Sequence, residues 1–326
     1  MRFSRRNSLR LAAGAAASLG FSSKASAQSY PTRTVRVIVA VAAGGSPDIV
    51  ARLMGQWLSK RLGLPFVIEN RPGAGGNIGT EVVVKASPDG HTLLLVALSH
   101  AINATLYEKR LTFDFARDIA PVGSISRGFN VMVVNPSFPA RTVPEFIAYA
   151  KANPHKISMA SAGIGSGPHL TGELLQMMAG IKMVHVPYRG AASALSDLLG
   201  GQVQVYFSNP ASALAYVKEG RLWPLAVTSA TRSDVLPDIL ALGEFLPGFE
   251  ASTWLGIGAP KNTPTDIIAA LNNEINAGLV DPIMSAQLAV SGNNAFASSP
   301  ADFGKLIAEE TEKWGKVIRA ANLTVE

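Results

Sequence analysis

Two turns in the sequence combine glycine and serine, with little bulk, in a way that suits a small anion. The first is Gly44-Gly45-Ser46, followed by Pro47 and Asp48. The second is Ser161-Ala162-Gly163-Ile164-Gly165-Ser166-Gly167, followed by Pro168 and His169. Each stands between a short apolar run and a helical pattern. The first N–H groups of a helix have no intrahelical partner and lie at the positive end of its dipole, so a turn without bulky side chains can present them to an anion. The hydroxyls of Ser161 and Ser166 would help. Taken alone, either turn has a plainer reading, in which glycines permit the bend and the serine caps the helix. Two such turns in separate blocks shift the balance towards the anion.

Other chemistries fit these residues poorly. A phosphate P-loop needs Lys and Ser/Thr after its last glycine, and neither turn has Lys there. The stretch GAGGNIG at 73–79 follows a strand pattern, but Ile78 stands where a dinucleotide fingerprint needs its third glycine. Gly165-Ser166-Gly167 is not the order of a nucleophile elbow. The five histidines, at 91, 100, 155, 169 and 185, show no metal-ligand spacing. His169 reads as a first-turn residue contributing to a cleft rather than as a base. Asp48 could act as a general base, but a carboxylate in a first helical turn usually serves the dipole and the cap. No cofactor or metal is expected.

The elements that must position these turns alternate strand and helix nearly throughout, the pattern of parallel sheets covered by helices. Strand patterns fall at 35–41, 65–68, 92–98, 119–125, 130–134, 156–160, 183–186, 203–207 and 225–228. Helix patterns fall at 47–62, up to 86, and at 143–152, 168–179, 191–199, 211–219, 264–278, 282–291 and 300–321, several opened by proline. The stretch around Asn103 and Tyr107 reads as irregular. AGGSPDIVARL (43–53) and GIGSGPHLTGELL (163–175) echo each other as strand, glycine turn, serine, proline and helix. Two such blocks suggest two lobes facing one cleft.

Residues 1–27 are read as a cleaved signal peptide: Arg2, Arg5, Arg6 and Arg10 lead into an apolar stretch ending Ala25-Ser26-Ala27. Ser4-Arg5-Arg6-Asn7-Ser8-Leu9 resembles the twin-arginine export motif. This segment holds five of the 29 Lys and Arg and none of the 23 Asp and Glu, leaving 24 against 23. The formal charge of +6 is therefore almost entirely the signal's, and nothing in the remainder offers the clustered basic face of a nucleic-acid binder. The absence of cysteine rules out a disulfide framework and a thiol nucleophile. A soluble periplasmic product, monomeric and with a real core, is expected.

With these residues assembled, the chain resembles the periplasmic solute receptors of tripartite tricarboxylate transport, the Bug or TctC family. The likeness rests on AGGSPDIVARL, VIENRPGAGGNIGTEVVVKASPDGHTLL, ASAGIGSGPHLTGELL, HVPYRGAASALSDLLGGQVQV, LAVTSATRSDVLPD and WLGIGAPKNTP, in order over 30–320. It implies an α/β, two-lobed type II periplasmic-binding-protein fold (Venus flytrap), each lobe a mainly parallel sheet flanked by helices. Lobe one would be 28–128 plus 251–326 and lobe two 129–250. A ligand carboxylate would lie between Gly44, Gly45, Ser46 and Asp48 on one side and Ser161, Gly163, Ile164, Gly165, Ser166 and His169 on the other. Ser99, His100 and Ser208 join the expected ligand residues, and Arg127, unless it is an exposed hinge charge, would pair with a second carboxylate. Many relatives carry an Asp after the strand 202–207, where this chain has Ser208. Its loss disfavours an α-amino acid and favours a di- or aromatic carboxylate. The implied partners are membrane transporter subunits. An exported α/β hydrolase and a ligand-loaded sensor for a membrane kinase are the alternatives.

Overall fold

A computed structural model describes residues 30–233 and 236–325; the expected signal at 1–27 lies outside them. Two sheets organise the chain. The six-stranded sheet has the strand order Asn293–Ala295, Ile119–Gly128, Thr253–Pro260, Thr92–Ala97, Val35–Val39 and Phe66–Asn70, and the five-stranded sheet the order Val184–Pro187, Ser158–Ser161, Val205–Ser208, Val131–Val134 and Trp223–Val227. In the first, β1 (Val35–Val39), β2 (Phe66–Asn70) and β3 (Thr92–Ala97) run parallel, with Val37 paired to Ile68 and Leu93. β10 (Thr253–Pro260) runs antiparallel between β3 and β4 (Ile119–Gly128), and β11 (Asn293–Ala295) closes the edge on β4. In the second, β6 (Ser158–Ser161), β7 (Val184–Pro187) and β8 (Val205–Ser208) are parallel, while β5 (Val131–Val134) runs antiparallel to β8 and β9 (Trp223–Val227).

β1, β3, β5, β6 and β8 are almost entirely buried because helices cover both faces of the sheets, while the edge strand β7 is partly exposed. Proline in the first turn opens the helices Ser46–Leu62, Val143–Ala152, Gly167–Ala179, Pro210–Lys218, Pro282–Val290 and Pro300–Ala320. There its fixed φ fits and its missing N–H costs nothing. Gly63 and Gly180 end two of them in left-handed conformations, φ 76° and 62°, where a side chain would be strained.

The chain passes from β4 into β5 through Phe129-Asn130 and returns from β9 to β10 through 228–252. Fully buried Thr228 knits the two passages together. Its N–H donates to the Asn130 carbonyl and its Oγ1 accepts from the Asn130 N–H, both at 2.9 Å, while Oγ1 also donates to the Ala251 carbonyl at 2.9 Å. The helix Pro300–Ala320 ties the halves together from outside, packing on the helix Leu98–Leu106 of the first and on Gly167–Ala179 of the second. Its Phe303, Ile307, Trp314, Val317 and Ile318 are buried in a cluster that includes residues of both sheets.

Two stretches depart from expectation. Residues 98–106 form a helix, although Asn103 and Thr105 are weak helix formers; packing on Pro300–Ala320 outweighs their propensity. Thr253–Pro260 is a central strand although Gly256 and Gly258 interrupt it. A Cβ on Gly256 would lie 2.3 Å from Phe303 Cζ, so here glycine permits close helix–sheet approach.

Candidate functional site

Because β1, β2 and β3 share a direction, as do β6, β7 and β8, the turn after each strand lies at one end of its sheet. In open α/β sheets that end is where ligands bind. The two ends meet. A Cβ on Gly165, after β6, would lie 2.4 Å from Leu106 Cδ2 on the helix that follows β3. A Cβ on Gly292 would lie 2.9 Å from Asn209 Oδ1, just after β8, and neighbouring Asn293 donates through Nδ2 to Ser46 Oγ at 2.9 Å.

Most helix starts at this junction lack a side-chain cap. Away from it, Thr142, Asp281 and Ser299 cap their helices with side-chain oxygens, and only Thr265–Leu279 of the longer helices there starts without one. The helices after β1, β2, β3, β6 and β7 begin at Gly45, Gly76, Ala97, Ser166 and Gly190, and none has a side-chain cap. Ser166 stands at the cap position, but its hydroxyl donates to the Gly163 carbonyl at 2.7 Å. Only the helix after β8 is capped, by Asn209. Two sets of uncapped N-termini, one per sheet, thus supply unpartnered N–H groups and positive dipole ends at one junction.

The first turn is held from below. Asp48 is 3% exposed, and its carboxylate accepts from Gly44 N–H at 2.9 Å, from Arg52 at 2.9 and 3.0 Å and from Asn70 at 3.0 Å. Burial alone would raise its pKa, but these donors outweigh it and hold the carboxylate below its ordinary range. Asp48 is therefore a strut of the turn, with neither a free oxygen for a ligand nor the raised pKa of a general base. Residues 42–45 stand exposed above it. In the second turn Ile164 is the exposed tip, 55% accessible, while Ser161 and His169 are buried beneath. Gly163 and Gly165 have φ of 127° and 75°, which explains glycine at both.

Among the other expected residues, Ser99 lies in the uncapped first turn of Leu98–Leu106, and Ser208 is fully buried with Oγ 3.3 Å from the Asn209 carbonyl. His100 points into the core: its Nδ1 accepts from Ala97 N–H at 2.9 Å and its ring stacks on Phe115 at 5.3 Å. Arg127 is an ion-paired residue, bound to Glu250 and lying 5.3 Å over the Phe296 ring beside a pocket of 310 Å³ that reaches Ser229 and Arg232. Glu250 answers its charge, while its Nε has no hydrogen-bond partner among the described residues. Sequence spacing gave no hint of His185, whose Nε2 lies 2.6 Å from Ser161 Oγ. Such a pair resembles a nucleophile and its base, but Ser161 is fully buried and its Oγ accepts the Gly163 N–H at 3.1 Å.

Burial lowers the His100 pKa from 6.5 to about 4, against the opposing hydrogen bond to Ala97. A base with a depressed folded pKa binds fewer protons folded than unfolded, so its stabilisation is full above the unfolded pKa and is lost as pH falls towards the folded one. Between about pH 7 and about pH 5, His100 should cost about 2 kcal/mol of stability. His100→Asn, which keeps an acceptor for Ala97, should lose correspondingly less over that interval in urea unfolding. Parallel losses in the two proteins would remove His100 as the cause.

The fold is the two-lobed α/β fold of periplasmic binding proteins, its two sheets meeting at the turns that follow their parallel strands. The sequence model of the tripartite tricarboxylate transporter family receptor, TctC, matches residues 50–323, and the chain belongs to that family. Among its relatives is BugT of Bordetella pertussis, 35% identical over 306 residues, covering 93% of this chain and 94% of BugT. An R. palustris protein solved with adipate is 34% identical with a TM-score of 0.79, over 90% of this chain and 99% of that one. MatC from Rhodopseudomonas palustris with bound malate is 31% identical with a TM-score of 0.75, over 89% and 100%. No helix among the described residues is long and apolar enough to cross a membrane.

Proposed function

We propose that the protein captures a small dicarboxylate or aromatic carboxylate between its two sheets and delivers it to membrane subunits of a tripartite tricarboxylate-type transporter. The observation that carries this is the set of uncapped helix N-termini on both sheets, which complement an anion without any cationic side chain. The family's function and the relatives solved with adipate and malate support the same class of ligand. In this reading 28–128 with 251–326 and 129–250 are two lobes that close about Thr228, excluding water so that each dipole acts in a lower dielectric. The protein is exported, by the twin-arginine route, and works as a monomer.

The protein is a binder and not a hydrolase in this reading: the Ser161–His185 pair is sealed from solvent at Ser161. An ammonium group is disfavoured because no acid stands at Ser208 and desolvating an unanswered cation costs several kcal/mol. Isothermal titration against adipate, malate, benzoate, glutamate and aspartate, beside a turnover assay on ester substrates, tests this. Adipate, malate or benzoate should bind at least about tenfold more tightly than either amino acid, a gap of about 1.4 kcal/mol, with no turnover. Preferential binding of glutamate or aspartate would restore the amino-acid reading, and turnover would overturn the binder.

A further inference from the structure

His169 and His185 lie face to face beneath the serine–glycine turn, ring centroids 3.6 Å apart and planes 10° from parallel. They come from different elements, the helix Gly167–Ala179 and strand β7, and each holds one part of the turn. His169 Nδ1 accepts the Gly165 N–H at 3.1 Å. His185 Nε2 meets Ser161 Oγ at 2.6 Å, and that oxygen accepts the Gly163 N–H at 3.1 Å. Ser166 completes the fold of the turn, its hydroxyl and N–H both donating to the Gly163 carbonyl, at 2.7 and 3.1 Å.

We infer that His185 and His169 are positioning residues for ligand capture, a neutral stacked pair that fixes the serine–glycine turn and so aims the free N–H groups of the helix behind it. The functional consequence rests on the carboxylate reading; the geometry of the turn does not. The amides of Gly163 and Gly165 are already committed to Ser161 and His169. The donors left for a ligand are the Ile164 N–H, between them, and those that start the helix, beginning with Gly167 N–H.

Both rings must stay uncharged for this arrangement. Nδ1 of His169 can accept from Gly165 only while it carries no proton, and two charged imidazoles at 3.6 Å would repel each other. Glu173 places a carboxylate oxygen 3.6 Å from His169 Nε2, which draws the ring's proton to that nitrogen and leaves Nδ1 free to accept. Burial and the neighbouring His169 hold His185 down to about 4, against the opposing pull of Glu173. Lys182, ahead of β7, shares a pocket with Glu173, and the helix Pro300–Ala320 with its C-cap residue brings only Val317, Ala320 and Ala321 to it. Arg319 of that helix turns its guanidinium towards Gly315, and the helix Leu98–Leu106 offers Leu106 to the turn.

Nuclear magnetic resonance of the whole protein tests the pair with and without ligand. In the unmodified protein, a coupling across the N–H···N bond between Gly165 and His169 should be present, and the His185 ring nitrogens should read as neutral at about pH 5.5, where an ordinary histidine is largely charged. His169→Leu should lower the exchange protection of the Gly165 amide by at least about tenfold, and His169→Asn, which keeps an acceptor near Nδ1, should restore it. Affinity for adipate or malate should fall at least about tenfold in His169→Leu and His185→Leu and recover in His169→Asn and His185→Gln. A missing coupling, a charged His185 ring at that pH, or unchanged affinity in both leucine variants would overturn the inference. Should neither adipate nor malate bind the unmodified protein, the carboxylate reading fails by itself, and the coupling and the Gly165 exchange still decide the pair.

Discussion

Gly45→Asp and Gly167→Asp should each abolish carboxylate binding while leaving the fold as stable as before or more so. Both sites have room: a Cβ at Gly45 would meet only Pro47 Cδ, at 3.7 Å, and one at Gly167 would meet nothing within 4 Å. Gly45 has φ −81° and ψ 167°, a backbone any residue adopts. For the helix alone an aspartate is favourable, since it caps or sits in the first turn at the positive dipole end, worth a few tenths to about 1 kcal/mol. For the ligand it is a fixed negative charge where its own carboxylate must sit. At about 4 Å and an effective dielectric near 20, that repulsion is about 4 kcal/mol, enough for a loss of at least about a hundredfold. Titration with adipate or malate beside urea unfolding gives both signs in one experiment. Undiminished affinity in both variants would place the anion elsewhere.

Trp314→Ala should cost about 3 to 5 kcal/mol of stability, the range for removing a large buried aromatic side chain. Trp314 is fully buried in the cluster that includes residues of both sheets, and its Nε1 donates to Glu310 at 2.9 Å. The same carboxylate receives Trp254 Nε1 at 3.4 Å and pairs with Lys313. Truncation leaves a cavity and also strips a donor from a buried carboxylate, so both penalties have the same sign. A domain has only about 5 to 15 kcal/mol in total, so the shift in urea midpoint should be unmistakable. A change below about 1 kcal/mol would mean that the helix Pro300–Ala320 is peripheral to the fold.

Much of this fold is written locally. Proline in the first turn and glycine after the last mark helix ends at Pro47, Pro168, Gly63 and Gly180 in the sequence as they do in the structure. The two glycine turns are likewise local, because a positive φ at Gly163 and Gly165 demands glycine whatever surrounds it. What sequence could not give depends on neighbours far along the chain. The helix Leu98–Leu106 forms through packing on residues about two hundred positions later, and Gly256 sits within a strand because Phe303 comes close enough to forbid a side chain. In the site, residue type alone could not separate Asp48 and His100, turned inward, from Ser46 and Ser99 at the helix starts. Residue type leaves Arg127 readable as a cleft charge or a hinge charge, and its pairing with Glu250, 123 positions on, is invisible in sequence. His185 meets Ser161 only because β6 and β7 run parallel with Met159 opposite His185, a register no single-sequence pattern states.

The central claim, that uncapped helix N-termini of both sheets hold one carboxylate, is tested most directly by mapping backbone amide shifts as adipate or malate is added to the isotopically labelled protein. The largest changes should fall on Gly45, Ser46, Ser99, Ile164 and Gly167, on both sheets together and along one saturation curve. Changes confined to the turns of one sheet, or centred on the pocket beside Arg127 and Ser229, would contradict it.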